Sequence, residues 1–537
     1  MFGAGGGTSS YEETRNTDLI ILWGSNAREA HPIYFHHVLK AVNRGAKLVV
    51  VDPRRTPSAQ WADLWLGIDV GTDIPLANAV GREIITAGLV NEEFVARATT
   101  GYDEYRASVE PWTLEEAERV TGVPADAIRE LAHSYARADR AQLCWTLGIT
   151  EHHNAVDNVF ALIDLALLTG HVGRYGSGLS PLRGQNNVQG GGDMGAIPNK
   201  LPGFVDVTDA AERARFDAAW GVTVPPERGM HLSDMFHAME DGTLRTLYVI
   251  GENPAQSEAD QTHAIELLEG LDHLVVQDIF LTRTAQLADV VLPAAAGWAE
   301  SDGTVTSSER RVQLMHKALE PPGEARDDVW IVYELGKRLG VDLGSPRAED
   351  VWNELRGLSP MHAGMSYAHL EELGGIQWPC WDETHPGEQF LHARLWEPEV
   401  EVRAPFQAVV HSPPVDLLDD DFPIRLTTGR RLESFNTGVQ TGGFQSPLHR
   451  DAPTAIRLAP EDGARYGVVD GGRVRVVSRR GSVESPVRFD DTLRPGLAFM
   501  NLHFPDQVET NVLTIDAQDP KSGTAEFKAT AIRVEAL

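Results

Sequence analysis

The chain has 537 residues, with 47 Lys and Arg against 78 Asp and Glu, a formal net charge of −31, 42% apolar residues and 23% charged ones. This composition predicts a soluble globular protein of roughly three or four domains, and an acidic surface of this kind repels nucleic-acid phosphates and anionic lipid headgroups. Two cysteines, Cys144 and Cys380, neither in a Cys-x-x-Cys spacing, exclude a disulfide framework and any cysteine-ligated cluster built by these residues, so a small-molecule enzyme is the class that remains.

The start, Met1-Phe-Gly-Ala-Gly, has neither a basic nor an apolar export region, and cytoplasmic localisation is expected. From Asp18 the chain reads as a strand ending at Gly24-Ser-Asn26, an amphipathic helix over 32–43, and a strand over 47–51 leading into Asp52. The most apolar stretch, Val156 to Leu168, is interrupted by Asp157, Asn158 and Asp164; it reads as a buried helix, and no membrane span is expected. His171 to Gly195 has no clear period and reads as a long irregular loop, rich in Gly and amides and therefore a functional candidate.

The strand–helix–strand pattern then returns. Leu244 to Ile250 is an apolar strand ending at Gly251-Glu-Asn253, a helix is expected around 263–268, and a strand from His273 leads into Asp278. Residues 52–66 align without a gap on 278–292, with identities at Asp52/Asp278, Thr56/Thr282, Ala59/Ala285, Gln60/Gln286, Ala62/Ala288, Asp63/Asp289 and Leu66/Leu292. One αβ architecture has been built twice. In open α/β sheets ligands bind off the carboxyl ends of strands, where each copy places a Gly-x-Asn turn and an Asp. These suit two nucleotide moieties, the Asp accepting from a ribose diol or a guanine edge; the other reading is that Gly and Asn supply turn geometry and Asp caps the next turn.

Further on, 327–339 reads as a helix, followed by an irregular connection to about Pro414. From Phe422 short alternating strands joined by Gly, Asp and Pro turns predict a β-barrel-like domain. The adjacent pairs His36-His37 and His152-His153 lack metal-ligand spacing, and no metal site is assigned to this chain's residues. Cys144 and Cys380 read as structural. No P-loop, G-x-G-x-x-G or G-x-S-x-G motif is present.

The string Pro181-Leu-Arg-Gly-Gln-Asn-Asn-Val-Gln-Gly-Gly-Gly-Asp-Met-Gly-Ala196 resembles the active-site segment of molybdenum- or tungsten-dependent formate dehydrogenases, within the dimethyl-sulfoxide-reductase-type molybdopterin oxidoreductases. The resemblance continues through Gly251-Glu-Asn-Pro254, Ala288-Asp-Val-Val-Leu-Pro293, Gly303 to Arg311 and Thr427 to Arg431. It implies an α/β fold with two pseudo-symmetric parallel αβα domains, over 1–185 and 186–297, a connecting region 298–414, and a double-psi-type β-barrel over 415–537.

The implied cofactor is bis-molybdopterin guanine dinucleotide with molybdenum or tungsten. Gly24, Asn26, Asp52, Arg54, Gly71, Asp73, Gly251, Asn253, Ser257, Gln277 and Asp278 would line the two dinucleotides, and Arg430, Asn511 and Lys528 would close over them from the barrel. Arg183 would hold the formate carboxylate and Gln185 would sit beside the pterin, formate being oxidised to CO₂ or the reverse. The family's 4Fe-4S domain and Cys or selenocysteine ligand precede the point where this sequence begins. The resemblance therefore implies that the chain by itself is inactive and passes electrons to an iron–sulfur or diaphorase-type subunit. An inert molybdopterin-binding scaffold, or a relative acting on another oxyanion, are the alternatives. Ser434-Phe435 stands where the family often has His-Tyr, which leaves their part in cofactor contact open.

Overall fold

In the computed structural model, residues 1–3, 5–441, 454–503 and 508–537 are described. Leu19–Trp23 (β1), Lys47–Val51 (β2) and Leu64–Leu66 (β3) are joined by Ala141–Trp145 (β4) and Gly178–Pro181 (β5) in one parallel sheet ordered β3-β2-β1-β4-β5. Every residue of β1 and β4 is buried. A central parallel strand is covered by helices on both faces, so its sequence is a continuous apolar run rather than an alternation. Those helices include Pro32–Val42 (α1), Asp73–Thr86 (α2) and Ala155–Thr169 (α3). The predicted loop 171–195 is only partly irregular: it contains β5 and a helix, Val188–Asp193 (α4). Its glycines hide the helical period, and the helix is fixed by a tertiary bond, Asn187 Oδ1 accepting from the Thr306 N–H at 2.9 Å.

The second copy forms a smaller parallel sheet from Thr246–Ile250 (β6), His273–Asp278 (β7) and Val290–Pro293 (β8), ordered β8-β7-β6, with Gln261–Glu269 (α5) and Arg283–Leu287 (α6). The repeat holds bond for bond. Gly24 N donates to Val51 O and Gly251 N to Gln277 O, each at 2.8 Å. Asp63 Oδ2 accepts from Leu48 N at 2.8 Å, and Asp289 Oδ2 from Leu274 N at 2.7 Å. Ser58 Oγ donates to Asn26 Oδ1 at 3.0 Å, and Thr284 Oγ1 to Asn253 Oδ1 at 2.8 Å. The two asparagines are thus part of the turn geometry in both copies.

Asp328–Arg338 (α7) follows an antiparallel pair, Gly303–Thr306 (β9) and Arg311–Met315 (β10), completed by Ile376–Gln377 (β11). Farther on the chain returns to the core beneath the first sheet. Ala404–Pro405 pairs in parallel with Thr99–Thr100, and Leu395, Ala404, Phe406 and Val409 join the core around β1. The C-terminal part is a closed barrel of Ile424–Gly429 (β12), Ile456–Leu458 (β13), Arg473–Val477 (β14), Ser482–Phe489 (β15), Leu497–Asn501 (β16) and Thr530–Ala536 (β17), ordered β12-β16-β13-β15-β14-β17. In β14, Val474 and Val476 point into the barrel core while Arg473 and Arg475 face out. No helix among the described residues is long and apolar enough to cross a membrane.

Asp164 of α3 is fully buried; its Oδ1 accepts from the Gln407 N–H at 3.1 Å and its Oδ2 has no hydrogen-bond partner among the described residues. Burial pushes its carboxyl from 3.8 up to about 8. Between those values the unfolded chain releases this proton and the folded one keeps it, so this group makes folding progressively less favourable as pH rises from about 4 to 8. Asp164→Asn should therefore raise the unfolding midpoint more at pH 8 than at pH 5, as read by thermal unfolding at the two pH values.

Candidate active site

A cleft opens at the carboxyl ends of β1, β2 and β4, where the first sheet meets the barrel. It is lined by Gly24, Asn26, Asp52, Arg54, Gly71, Asp73, Arg183, Gln185, Arg430 and Lys528, so ten of the residues expected from sequence stand together. The floor is backbone. Gly24 has φ +57°, Gly148 N donates to Gly24 O at 3.2 Å, and a Cβ on Gly148 would lie 2.5 Å from Gly24 O. A side chain at either position would separate the two turns or fill the cleft.

The walls mix cations with buried carboxylates. Asp52 accepts from Arg54 N at 2.9 Å, and burial, opposed by the Arg54 charge, pushes its carboxyl up to about 6. Asp73, at the start of α2, accepts from Trp23 Nε1 at 2.8 Å, and burial raises it as well. The Arg54 guanidinium lies 3.6 Å from the centre of the Phe499 ring, and that of Arg430 lies 4.4 Å from Phe435. Phe435 therefore supports a cleft arginine, while Ser434 is buried beneath it.

Arg183 is anchored on one side. Its Nε donates to Gln189 Oε1 at 3.2 Å and one Nη2 hydrogen to Gly5 O at 2.9 Å, while Gln189 in turn donates to Asp193 at 2.8 Å. The Nη1 group has no hydrogen bond among the described residues, so part of the fork is left for a ligand. The glycines around it leave Gln185 exposed at the cleft rim.

Sequence reasoning missed His31. Among the described residues its buried ring nitrogens have no partner in good hydrogen-bond geometry, and burial, helped by the Arg430 charge and opposed by the nearby Arg183 and Leu182 backbone, lowers its pKa to about 4. A neutral imidazole, a backbone floor that excludes Cβ atoms, four cationic side chains for phosphate and buried carboxylates for N–H or hydroxyl donors together fit a nucleotide-bearing anionic group. No local pattern marks His31, because its role follows from segments far apart in the chain.

The other six expected residues gather at the carboxyl end of the second sheet. Asn511 Nδ2 donates to Gln256 O and Ser257 O at 3.1 and 2.9 Å, which draws the barrel onto the turn after Gly251 and Asn253. Asp278 accepts from Phe280 N at 3.0 Å. Gln277 is buried and already bonded to Tyr248 and Asp328, so a ligand reaching its side chain must displace one of these. Nearby Glu258 is pushed up to about 7 by burial and by the charges of Asp516 and Glu252.

The model of the family described as molybdopterin oxidoreductase matches residues 4–338, and that of the Molydopterin dinucleotide binding domain matches 424–531. The chain is 39% identical to the F420-dependent formate dehydrogenase subunit alpha of Methanocaldococcus jannaschii, over 100% of this chain and 79% of the relative. It is 36% identical to formate dehydrogenase H of Escherichia coli, over 100% of this chain and 75% of that one. In fold it is similar to acetylene hydratase from Pelobacter acetylenicus, with a TM-score of 0.77 at 20% identity, over 99% of this chain and 79% of that structure.

Gly148→Ala should push the 146–149 turn off Gly24 and destabilise the protein by about 1–3 kcal/mol, the usual range for an extra methyl in a closed contact. Denaturant unfolding of the variant beside the parent measures it.

Proposed function

Because the chain belongs to the molybdopterin oxidoreductase family, we propose that it carries the formate-binding and dinucleotide-binding residues of a formate dehydrogenase catalytic subunit. The supporting observation is the Arg183 fork, half anchored and half open at the rim of a basic cleft. In this reading Gly24, Asn26, Asp52, Arg54, Gly71 and Asp73 hold one molybdopterin guanine dinucleotide, and Gly251, Asn253, Ser257, Gln277 and Asp278 hold the other. Arg430, Asn511 and Lys528 close over them from the barrel. The division at 1–185, 186–297, 298–414 and 415–537 follows the two dinucleotide units, the connection and the barrel.

When bound, the molybdenum or tungsten group supplies the two-electron acceptor for oxidation of formate to CO₂ and a proton. The chain's own residues bind and aim the substrate. Formate offers one carboxylate and one C–H bond, so both oxygens must be fixed for the hydrogen to have a single direction, and a planar guanidinium does this where a lysine ammonium leaves rotation free. Gln189 and Gly5 fix the far edge of the Arg183 plane, so the near edge is presented without reorganisation. Gln185 stands at the rim as the neighbouring polar contact. Electrons leave through an iron–sulfur or diaphorase-type partner subunit, and the protein works in the cytoplasm. The inert-scaffold alternative has no support in the relatives, whose names are those of formate dehydrogenases.

The test is formate-dependent dye reduction by this chain joined to the 4Fe-4S and Cys-ligand segment that the resemblance places ahead of it, loaded with molybdenum or tungsten. Arg183→Lys should lose most activity and Arg183→Ala nearly all, about a hundredfold or more, which corresponds to about 3 kcal/mol of transition-state stabilisation. Retention of near-normal turnover by the alanine variant with its cofactor in place would show that Arg183 only anchors the loop.

A further inference from the structure

At the floor of the cleft, which His152 itself lines, lies a buried ion cluster that the proposed reaction does not use. Glu526, fully buried in the last turn before β17, accepts from Lys528 N and Ala529 N on one oxygen, at 2.9 and 3.0 Å. Its other oxygen accepts from His153 N at 3.1 Å and faces His152 Nδ1 at 3.2 Å. His152, only 2% exposed, directs Nε2 at the Gly148 carbonyl, also at 3.2 Å. A carbonyl oxygen can only accept, and a carboxylate already taking three backbone N–H bonds is held ionised, so both ring nitrogens donate and the ring is an imidazolium.

The consequence runs in two directions from His152. Gly148 is the residue whose N–H holds Gly24, so one nitrogen of the ring grips the cleft floor. The other grips the barrel two residues before Lys528, whose ammonium pairs with Glu151 and donates to Thr428 O at 3.2 Å. Thr428 O takes one ammonium hydrogen and Glu151 balances the charge, so the ammonium keeps hydrogens for the cleft that Lys528 lines. Phe527 N donates to Glu151 O at 3.2 Å, which ties the two segments by backbone as well.

We propose that His152 is a positioning residue: as an imidazolium clamped between Gly148 and Glu526, it fixes the barrel's 526–528 segment to the cleft floor and so aims Lys528 at the dinucleotide seated beside Gly24. The proposal rests on the cofactor reading above. The charges facing His152 agree with the geometry. Burial alone would lower its pKa, but Glu526 from the barrel and Asp73 from α2 outweigh burial and the opposing Lys528 and raise it. Burial likewise favours a protonated Glu526, yet His152 and the His153 bonds hold that carboxyl below the usual range.

The test uses the full-length protein and two readouts. The first is molybdopterin retained per protein after gel filtration, measured by fluorescence of the oxidised pterin released on denaturation. His152→Gln and Glu526→Gln should each weaken retention, about tenfold in affinity as for other partners that orient a ligand, and the double variant should lose no more than either single one. Lys528→Met, which leaves the clamp intact, should show the same loss. The second readout is NMR titration of ¹³C-labelled imidazole, with the His152 resonance assigned by its absence in His152→Gln. That resonance should stay in the imidazolium position above the ordinary pH of about 6.5, fall towards it in Glu526→Gln, and not fall in Lys528→Met. Full pterin retention by His152→Gln or by Lys528→Met, or a neutral His152 at pH 7, would overturn the proposal. A parent protein that carries no pterin would instead overturn the cofactor reading itself.

Discussion

Two turns meet at the carboxyl ends of β1 and β4, and the cleft depends on how closely their backbones approach. Gly24 and Gly148 touch through main-chain atoms, with no room for a Cβ on either side. That contact brings Asp52, Asp73, Arg54 and the 181–185 segment around one space instead of leaving them on separate loops. It also explains why the imidazole of His152 can reach both the floor and the barrel: Gly148 O points away from Gly24, toward the ring. The cost of such a site is borne by ordinary core burial beneath it, in the continuous apolar runs of β1, β2 and β4.

Charge at the site opposes charge on the whole. A net charge of −31 disfavours the approach of a small anion, while the cleft gathers Arg54, Arg183, Arg430 and Lys528. Surface carboxylates act through water and are screened beyond about 8 Å at physiological salt, whereas partly buried guanidinium groups are screened far less. The local term therefore governs binding and the global term governs solubility and encounter. Buried Asp52 and Asp73 temper the cleft further. Burial raises both carboxyls, and both can meet N–H or hydroxyl donors of a ligand.

Much of this architecture is legible in the sequence, because the duplication is written in residues that perform the same local bonds twice. Asp63 and Asp289 each hold the N–H of the strand before them, and Asn26 and Asn253 each take a hydroxyl from the segment after the next strand. The rule that ligands sit off strand carboxyl ends then points to Asp52 and Gly24 without a structure. What sequence does not disclose is long-range. The glycine-rich helix 188–193 has no periodic apolar face and is held by Thr306 and Trp378 partners, the latter through Asp193. His31 and His152 acquire their surroundings from residues hundreds of positions away, so an adjacent histidine pair reads as unremarkable until Glu526 is seen beside it.

The return of residues 395–409 to the core of the first sheet sets an order on biosynthesis. Leu395, Ala404, Phe406 and Val409 belong to the same core as β1 and β4, and Ala404–Pro405 forms a separate two-stranded pair with Thr99–Thr100. A ribosome adding about 5–20 residues per second needs on the order of ten to forty seconds between releasing β5 and releasing the segment that finishes this core. During that interval the first sheet exists without part of its covering while the second repeat, similar in local sequence, emerges behind it. Two strand sets of similar pattern exposed together can pair with each other.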